Sequence, residues 1–347
     1  MRFLKIVALF LLAFAIIYFL GPRPATPSFV YKDYPNFLAP FAWSPSHVEK
    51  LIGEEEAKHK LKPDNQARIV WYNDSLKEQT EYAIVYLHGF SSSQEEGDPV
   101  HRDIAKKFGC NLYLTRLAEH GIDTPDALIN FTVDKYWESA QDALKVGEKL
   151  GKKVILMATS TGGSLALQLA STYGSRIHAL ILMSPNVKIF DKNAWLLNDP
   201  WGLQIARTVV GSKYIDAEDK RPIYQQYWNY HYRIEALVQL EEFLETCMVK
   251  ETFEKVHQPT LMLYYYKDDV HQDSVVRVDA MLKMFEQLGT PSNLKRSISM
   301  PKAGNHVIGS YIRSNDIEGV ERETEKFMVE ILKITAQPPT TSTVKRP

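Results

Sequence analysis

Short apolar runs alternate along the chain with longer stretches of helical period. The runs are 67–73 (ARIVWYN), 82–87 (YAIVYL), 110–115 (CNLYLT), 153–158 (KVILMA), 178–183 (HALILM), 260–266 (TLMLYYY) and 295–300 (KRSISM). Several are apolar at consecutive positions, so both faces need cover, as in a parallel sheet packed between helices. In the intervening stretches apolar positions recur at helical spacing. Val275, Val278, Leu282 and Phe285 fall on one face of a helix predicted over 274–288. Val320, Phe327, Ile331 and Ile334 do the same in the last helix. Asp98-Pro99 and Thr124-Pro125 each read as a helix N-cap followed by the first helical residue. This alternation predicts an α/β fold with a mostly parallel, doubly wound sheet over 67–186 and 259–335.

Residues 187–258 break the rhythm. They are rich in aromatics, among them Trp195, Trp201, Tyr214, Tyr224 and Trp228, and contain no strand-like run. A stretch of this length is too long for a loop and reads as an inserted helical cap.

At the N-terminus an unbroken apolar run, Ile6 to Leu20, follows Arg2 and Lys5. Phe19-Leu20-Gly21-Pro22 lacks the small residues of a signal-cleavage site. The expectation is an uncleaved membrane anchor over 1–21, with the body outside the cytoplasm (periplasmic in a bacterium). Residues 22–66 then form a linker and an N-terminal helix, and the Pro/Thr-rich stretch 336–347 a disordered tail.

Composition narrows the function classes. The 347 residues carry a net charge of −1, with Lys and Arg spread evenly, so no field favours nucleic acid. Cys110 and Cys247 are too few for a disulfide framework and read as unpaired thiols. No metal-ligand spacing or Gly-rich nucleotide loop is present, so neither metal nor cofactor is expected.

The segment 153–173 (KVILMATSTGGSLALQLASTY) runs from an apolar strand into a helix, with Ser160 at the corner. A serine there sits on a tight turn that lifts its hydroxyl above the sheet. The turn needs small residues two before and two after it, here Ala158 and Gly162. A helix start also points free N–H groups at the site, which favours developing negative charge. The plain alternative is a serine acting as a helix N-cap. His88-Gly89-Phe90 closes an earlier strand, and such a turn can offer the Phe90 N–H to an oxyanion beside that of Thr161. A carboxylate pair follows a later strand in Tyr266-Lys267-Asp268-Asp269-Val270, and His306 follows the last strand in Gly304-Asn305-His306. The order Ser, Asp, His is that of one hydrolase architecture.

From about residue 67 to 335 the chain resembles the α/β-hydrolase superfamily, and within it the bacterial carboxylesterase and monoacylglycerol-lipase-like serine hydrolases. Arg116-Leu117-Ala118-Glu119-His120-Gly121 is similar to that group's R-L-x-G-H-G turn, with Glu119 in place of a glycine. The resemblance implies Ser160 as nucleophile, His306 as general base, and Phe90 and Thr161 as oxyanion donors. For the orienting acid its D-x-V pattern fits Asp268, with Asp269 as the alternative. A serine at the elbow excludes the dehalogenases and epoxide hydrolases of the fold, which use Asp there. The expected activity is hydrolysis of a small-molecule or lipid-derived carboxylic ester. The same residues also suit an amidase, peptidase or thioesterase, and a membrane-tethered binding module is the non-catalytic alternative.

Overall fold

The computed structural model describes residues 2–29 and 44–338. Helices α1 (Arg2–Phe19) and α2 (Pro45–Glu56) lead into the sheet. Its first half comprises β1 (Arg68–Val70), β2 (Thr80–Leu87), α3 (Val100–Lys107), β3 (Asn111–Leu114), α4 (Val133–Leu150), β4 (Gly151–Thr159), α5 (Thr161–Tyr173) and β5 (Ala179–Met183). An inserted segment follows, with α6 (Gly202–Val210), β6 (Tyr214–Asp216), α7 (Pro222–Tyr227), β7 (His231–Arg233), α8 (Glu235–Cys247) and α9 (Lys250–Phe253). The chain returns through β8 (Thr260–Tyr264), α10 (Val278–Gln287), β9 (Lys295–Ser299) and α11 (Ile317–Lys326).

The strands lie in the order β1-β3-β2-β4-β5-β8-β9. All neighbours are parallel except β1 and β3. The pleat divides their side chains between two cores. Val85, Leu87, Leu156 and Ala158 pack towards α4, α5 and α8. Ile84, Tyr86, Ile155 and Met157 pack towards α3 and α11. Burial on both faces is why these strands read as continuous apolar runs. After β2 the chain crosses to β3 on one side, and after β4 it crosses to β5 on the other. The carboxyl ends of β2 and β4 therefore flank a topological switch point, where open α/β sheets bind ligands.

The expected sheet is present, and several local expectations are corrected. The Asp98–Pro99 bond is cis, and Pro99, not Asp98, stands at the N-cap of α3. Asp98 instead pairs with Arg102 at 2.8 Å. Thr124-Pro125 opens a turn, and α4 is capped by Thr132, whose hydroxyl accepts the Lys135 N–H. Helix α10 begins at Val278 and buries Val278, Met281 and Met284. Val275 lies before it, and Leu282 faces solvent. The segment expected to be strand-free contains the antiparallel ribbon β6–β7. Strands of three residues are too short to declare a period of two. Cys110 and Cys247 are unpaired and buried.

The large apolar side chains of α1 are mostly exposed. Among the described residues no helix is long and apolar enough to cross a membrane. At 1.5 Å per residue α1 is about 27 Å long, against a bilayer hydrocarbon core of about 30 Å. Its C-terminal end is tied to the inserted segment. Tyr18 Oη donates to Asp199, Trp201 Nε1 to the Ile17 carbonyl, and Trp201 N to the Pro22 carbonyl. Residues 30–43 of the expected linker, and the tail from residue 339, lie outside the described residues.

Candidate active site

Ser160 joins β4 to α5 with φ 53° and ψ −122°. That is a costly backbone for a residue with a Cβ, and such strain persists only where the surroundings enforce it. Here they do. Ser160 N donates to the Met183 carbonyl, and the Ser160 carbonyl accepts from Gly163 N and Asn186 N. The turn presses against β2: a Cβ on Gly162 would lie 2.1 Å from the Leu87 carbonyl oxygen. This close approach is the reason for glycine two residues after the serine.

The loop after β2 forms the facing wall. A Cβ on Gly89 would lie 2.9 Å from the Ser160 Cβ, so the two turns touch. Two neutral histidines brace this wall. His88 Nε2 accepts the Leu117 N–H, and His120 Nε2 accepts the Ser91 N–H, each at 3.0 Å. Burial holds both imidazoles below their usual range, His120 at about 4. The R-L-x-x-H-G turn thus supports the loop after β2. Glu119 adopts φ 66° there, the left-handed backbone that a glycine would take more cheaply, and pairs with Lys135. Arg116 from the same turn forks onto Glu56 of α2 at 2.7 and 2.8 Å.

Neither the Phe90 N–H nor the Thr161 N–H donates to another group among the described residues. Thr161 opens α5, where an N–H has no acceptor within the helix. The Phe90 ring meets His120, Phe131 and Tyr232 edge to face.

His306 follows β9 and is buried. Its Nδ1 lies 2.6 Å from an Asp273 carboxylate oxygen. Its Nε2 is buried and has no partner among the described residues. The His306 carbonyl accepts the Ser184 hydroxyl at 2.8 Å, which ties this loop to the end of β5 beside the Ser160 turn. Burial opposes a charge on the imidazole, but the Asp273 carboxylate outweighs it, and the net effect raises the His306 pKa above 6.5.

The carboxylate that meets His306 is Asp273, not the expected Asp268 or its alternative Asp269. Asp273 is 0% exposed, whereas the Asp268 side chain is 49% exposed and accepts from His271. Asp269 accepts from the Tyr266 hydroxyl at the surface. After β8 the chain makes a small excursion, closed by a bridge between Tyr266 and Gln272, that carries Asp268 and Asp269 outward. Beyond it Asp273 returns to the core, where Val275 N and Val276 N donate to its other oxygen at 2.8 and 3.0 Å. The D-x-V pattern that points to Asp268 recurs at Asp273-Ser274-Val275, and that repeat was the available signal. Among the described residues no group of His, Cys, Asp and Glu is arranged to hold a metal ion.

Residues 84–315 match the model of the alpha/beta hydrolase family. No curated protein matches the chain. Among solved structures, one reported with LipS and LipT, two metagenome-derived lipolytic enzymes, is 15% identical with a TM-score of 0.62, covering 78% of this chain and 100% of its own. Est1E of Butyrivibrio proteoclasticus with bound ferulic acid is 18% identical, with a TM-score of 0.54 over 77% of this chain and 95% of its own. The Paleococcus ferrophilus monoacylglycerol lipase is 13% identical, with a TM-score of 0.55 over 76% of this chain and 98% of its own. At these identities the likeness is one of fold. The family match spans more than half of the chain, and the protein belongs to the alpha/beta hydrolase family.

Proposed function

We propose that the protein is a serine hydrolase of carboxylic esters, with Ser160 as nucleophile, His306 as base and Asp273 as the acid that orients it. The observation that carries this reading is the buried His306–Asp273 contact of 2.6 Å through Nδ1, beside a buried Nε2 that has no partner among the described residues. An Nδ1–H held by the carboxylate fixes the tautomer whose Nε2 lone pair accepts a proton. In the first step Ser160 Oγ attacks the ester carbonyl, and its proton passes to His306 Nε2. The carbonyl electron pair moves onto oxygen, facing the N–H groups of Phe90 and Thr161. Collapse expels the alkoxide, which takes the proton from His306. Water then releases the acid by the same steps in reverse order.

The test is hydrolysis of p-nitrophenyl esters of graded acyl length by the full chain and by Ser160→Ala, beside labelling with a fluorophosphonate. Loss of turnover and of labelling in the variant supports the reading. Retained turnover in Ser160→Ala sinks it. Labelling without ester turnover redirects it to an amide or thioester.

We further propose that α1 holds the protein at a lipid surface, with the hydrolase body outside the cytoplasm. The exposed large apolar side chains around α1 support the contact with lipid. So do Ile205 and Val209, exposed and one helical turn apart on α6, whose N-cap Trp201 is tied to α1. The check is flotation of the full chain with anionic vesicles. Protein that stays at the bottom of the gradient overturns the idea.

A further inference from the structure

The turn Gln94–Gly97 buries every one of its residues, including Glu95 and Glu96. Glu96 is 3% exposed and lies beside the Ser160 turn. One of its carboxylate oxygens accepts the Gly89 N–H at 2.5 Å. A Cβ placed on Gly89 would be 2.9 Å from each Glu96 carboxylate oxygen and 2.9 Å from the Ser160 Cβ. Glu96 and Ser160 thus converge on one backbone position, the residue before Phe90. A buried carboxylate without a cation is expensive, so its position calls for a physical reason.

We propose that Glu96 is a positioning residue that fixes the turn after β2 by accepting the Gly89 N–H, and so aims the Phe90 N–H at the oxyanion. The inference rests on the serine-hydrolase reading above and deepens it. An oxyanion donor contributes only if it is already aligned when charge develops. The Phe90 peptide follows Gly89 directly, and the Glu96 hydrogen bond holds the peptide plane on its N-terminal side. The Ser92 hydroxyl donates to the Gly89 carbonyl at 2.9 Å and holds the other side. The glycine is therefore clamped at both its N–H and its C=O.

A full negative charge here would oppose the oxyanion. The surroundings answer this difficulty. Burial pushes the Glu96 carboxyl up to about 7, against the Gly89 N–H, His306 and Ser92, which favour the charged form. The other titratable groups that sense it are Tyr86, Tyr136 and Tyr224, all neutral at this pH. Near neutrality Glu96 is protonated for much of the time, and its carbonyl oxygen still accepts the Gly89 N–H. The clamp therefore needs an acceptor oxygen, not a charge, and glutamine should replace it.

The experiment compares Glu96→Ala, Glu96→Gln and wild type in the full chain, after thermal melts confirm folding. Steady-state p-nitrophenyl ester kinetics are read beside inhibition by an arylboronic acid, whose tetrahedral serine adduct resembles the transition state. In Glu96→Ala, kcat should fall by about 10- to 100-fold, part of the ~10²–10³ that removing an oxyanion donor costs. KM should stay nearly constant, and boronate affinity should drop by a similar factor. Glu96→Gln should restore both. If Glu96→Ala fails to fold, Glu96→Asp replaces it. Its carboxylate is one methylene too short to reach Gly89, and the same losses are expected. Wild-type kcat in Glu96→Ala, or equal losses in Glu96→Ala and Glu96→Gln, overturns the proposal. Fluorophosphonate labelling of the wild type separates this failure from failure of the serine-hydrolase reading, which would leave even the wild type unlabelled.

Discussion

Asp273→Asn is the substitution that tests the site most sharply, because the sequence pattern favours Asp268 and the structure favours Asp273. Asparagine is isosteric with aspartate. Its carbonyl oxygen can keep both backbone donors, Val275 N and Val276 N. The amide NH₂ then faces His306 Nδ1, 2.6 Å from the present carboxylate oxygen. An NH₂ cannot accept the Nδ1 proton, so the imidazole must carry its hydrogen on Nε2. That removes the lone pair that would take the serine proton. In a serine protease triad this change of tautomer lowers kcat by about 10⁴-fold, or about 5 kcal/mol of activation free energy. A loss of that order is expected here at pH 7, with a thermal midpoint close to wild type. The Asp268→Asn control removes an exposed pairing with His271. Such surface pairs contribute about 0–1 kcal/mol, and kcat should stay within about twofold. The assay is initial-rate hydrolysis of a short p-nitrophenyl ester, with a melt for each variant. An Asp273→Asn protein with near wild-type kcat, or an Asp268→Asn protein that is inactive but folded, would refute the assignment.

Other expectations follow from the same contacts. The base must be neutral to accept a proton, and Asp273 raises the His306 pKa above 6.5, so kcat/KM should fall as the pH drops through a midpoint above that value. A pH-rate profile whose acid limb has its midpoint at or below 6.5 would contradict this. Gly162→Ala puts a Cβ 2.1 Å from the Leu87 carbonyl, and backbone there has little freedom to yield. It should cost about 1–3 kcal/mol, read in a denaturant titration. Both cysteines are buried, and burial pushes the Cys110 thiol up to about 12. Native protein should therefore react with a thiol reagent only at the rate of unfolding, and two thiols should appear at once in denaturant.

The elements most legible in the sequence are those whose signal is local. The strands β2, β4, β5 and β8 carry unbroken apolar runs because helices cover both faces, and that needs no knowledge of their neighbours. The Ser160 turn is local too, since a strand, a strained residue and a close-approaching Gly162 lie within a few positions. The place of His306, proposed here as the base, after the last strand was legible too. Boundaries set by competition read less well. Asp98 pairs with Arg102, and the N-cap of α3 falls one residue later, on Pro99. The helix expected over 274–288 starts late because the stretch before it is taken up by Asp273 and its two backbone donors.

The sequence by itself determined the layered α/β architecture and the places of Ser160 at a strand–helix turn and of His306 after the last strand, because each is written in the period or spacing of adjacent residues. Only the tertiary structure decided which acid meets that histidine and what Glu96 touches. Asp268 and Asp273 carry the same side chain in similar contexts, and the bridge between Tyr266 and Gln272 turns one outward and returns the other to the core. Glu96 reads as one more charge in a polar loop until the fold places it against Gly89. A carboxylate's role depends on which donors surround it and how far it lies from water, and the fold brings those donors together from positions distant along the chain.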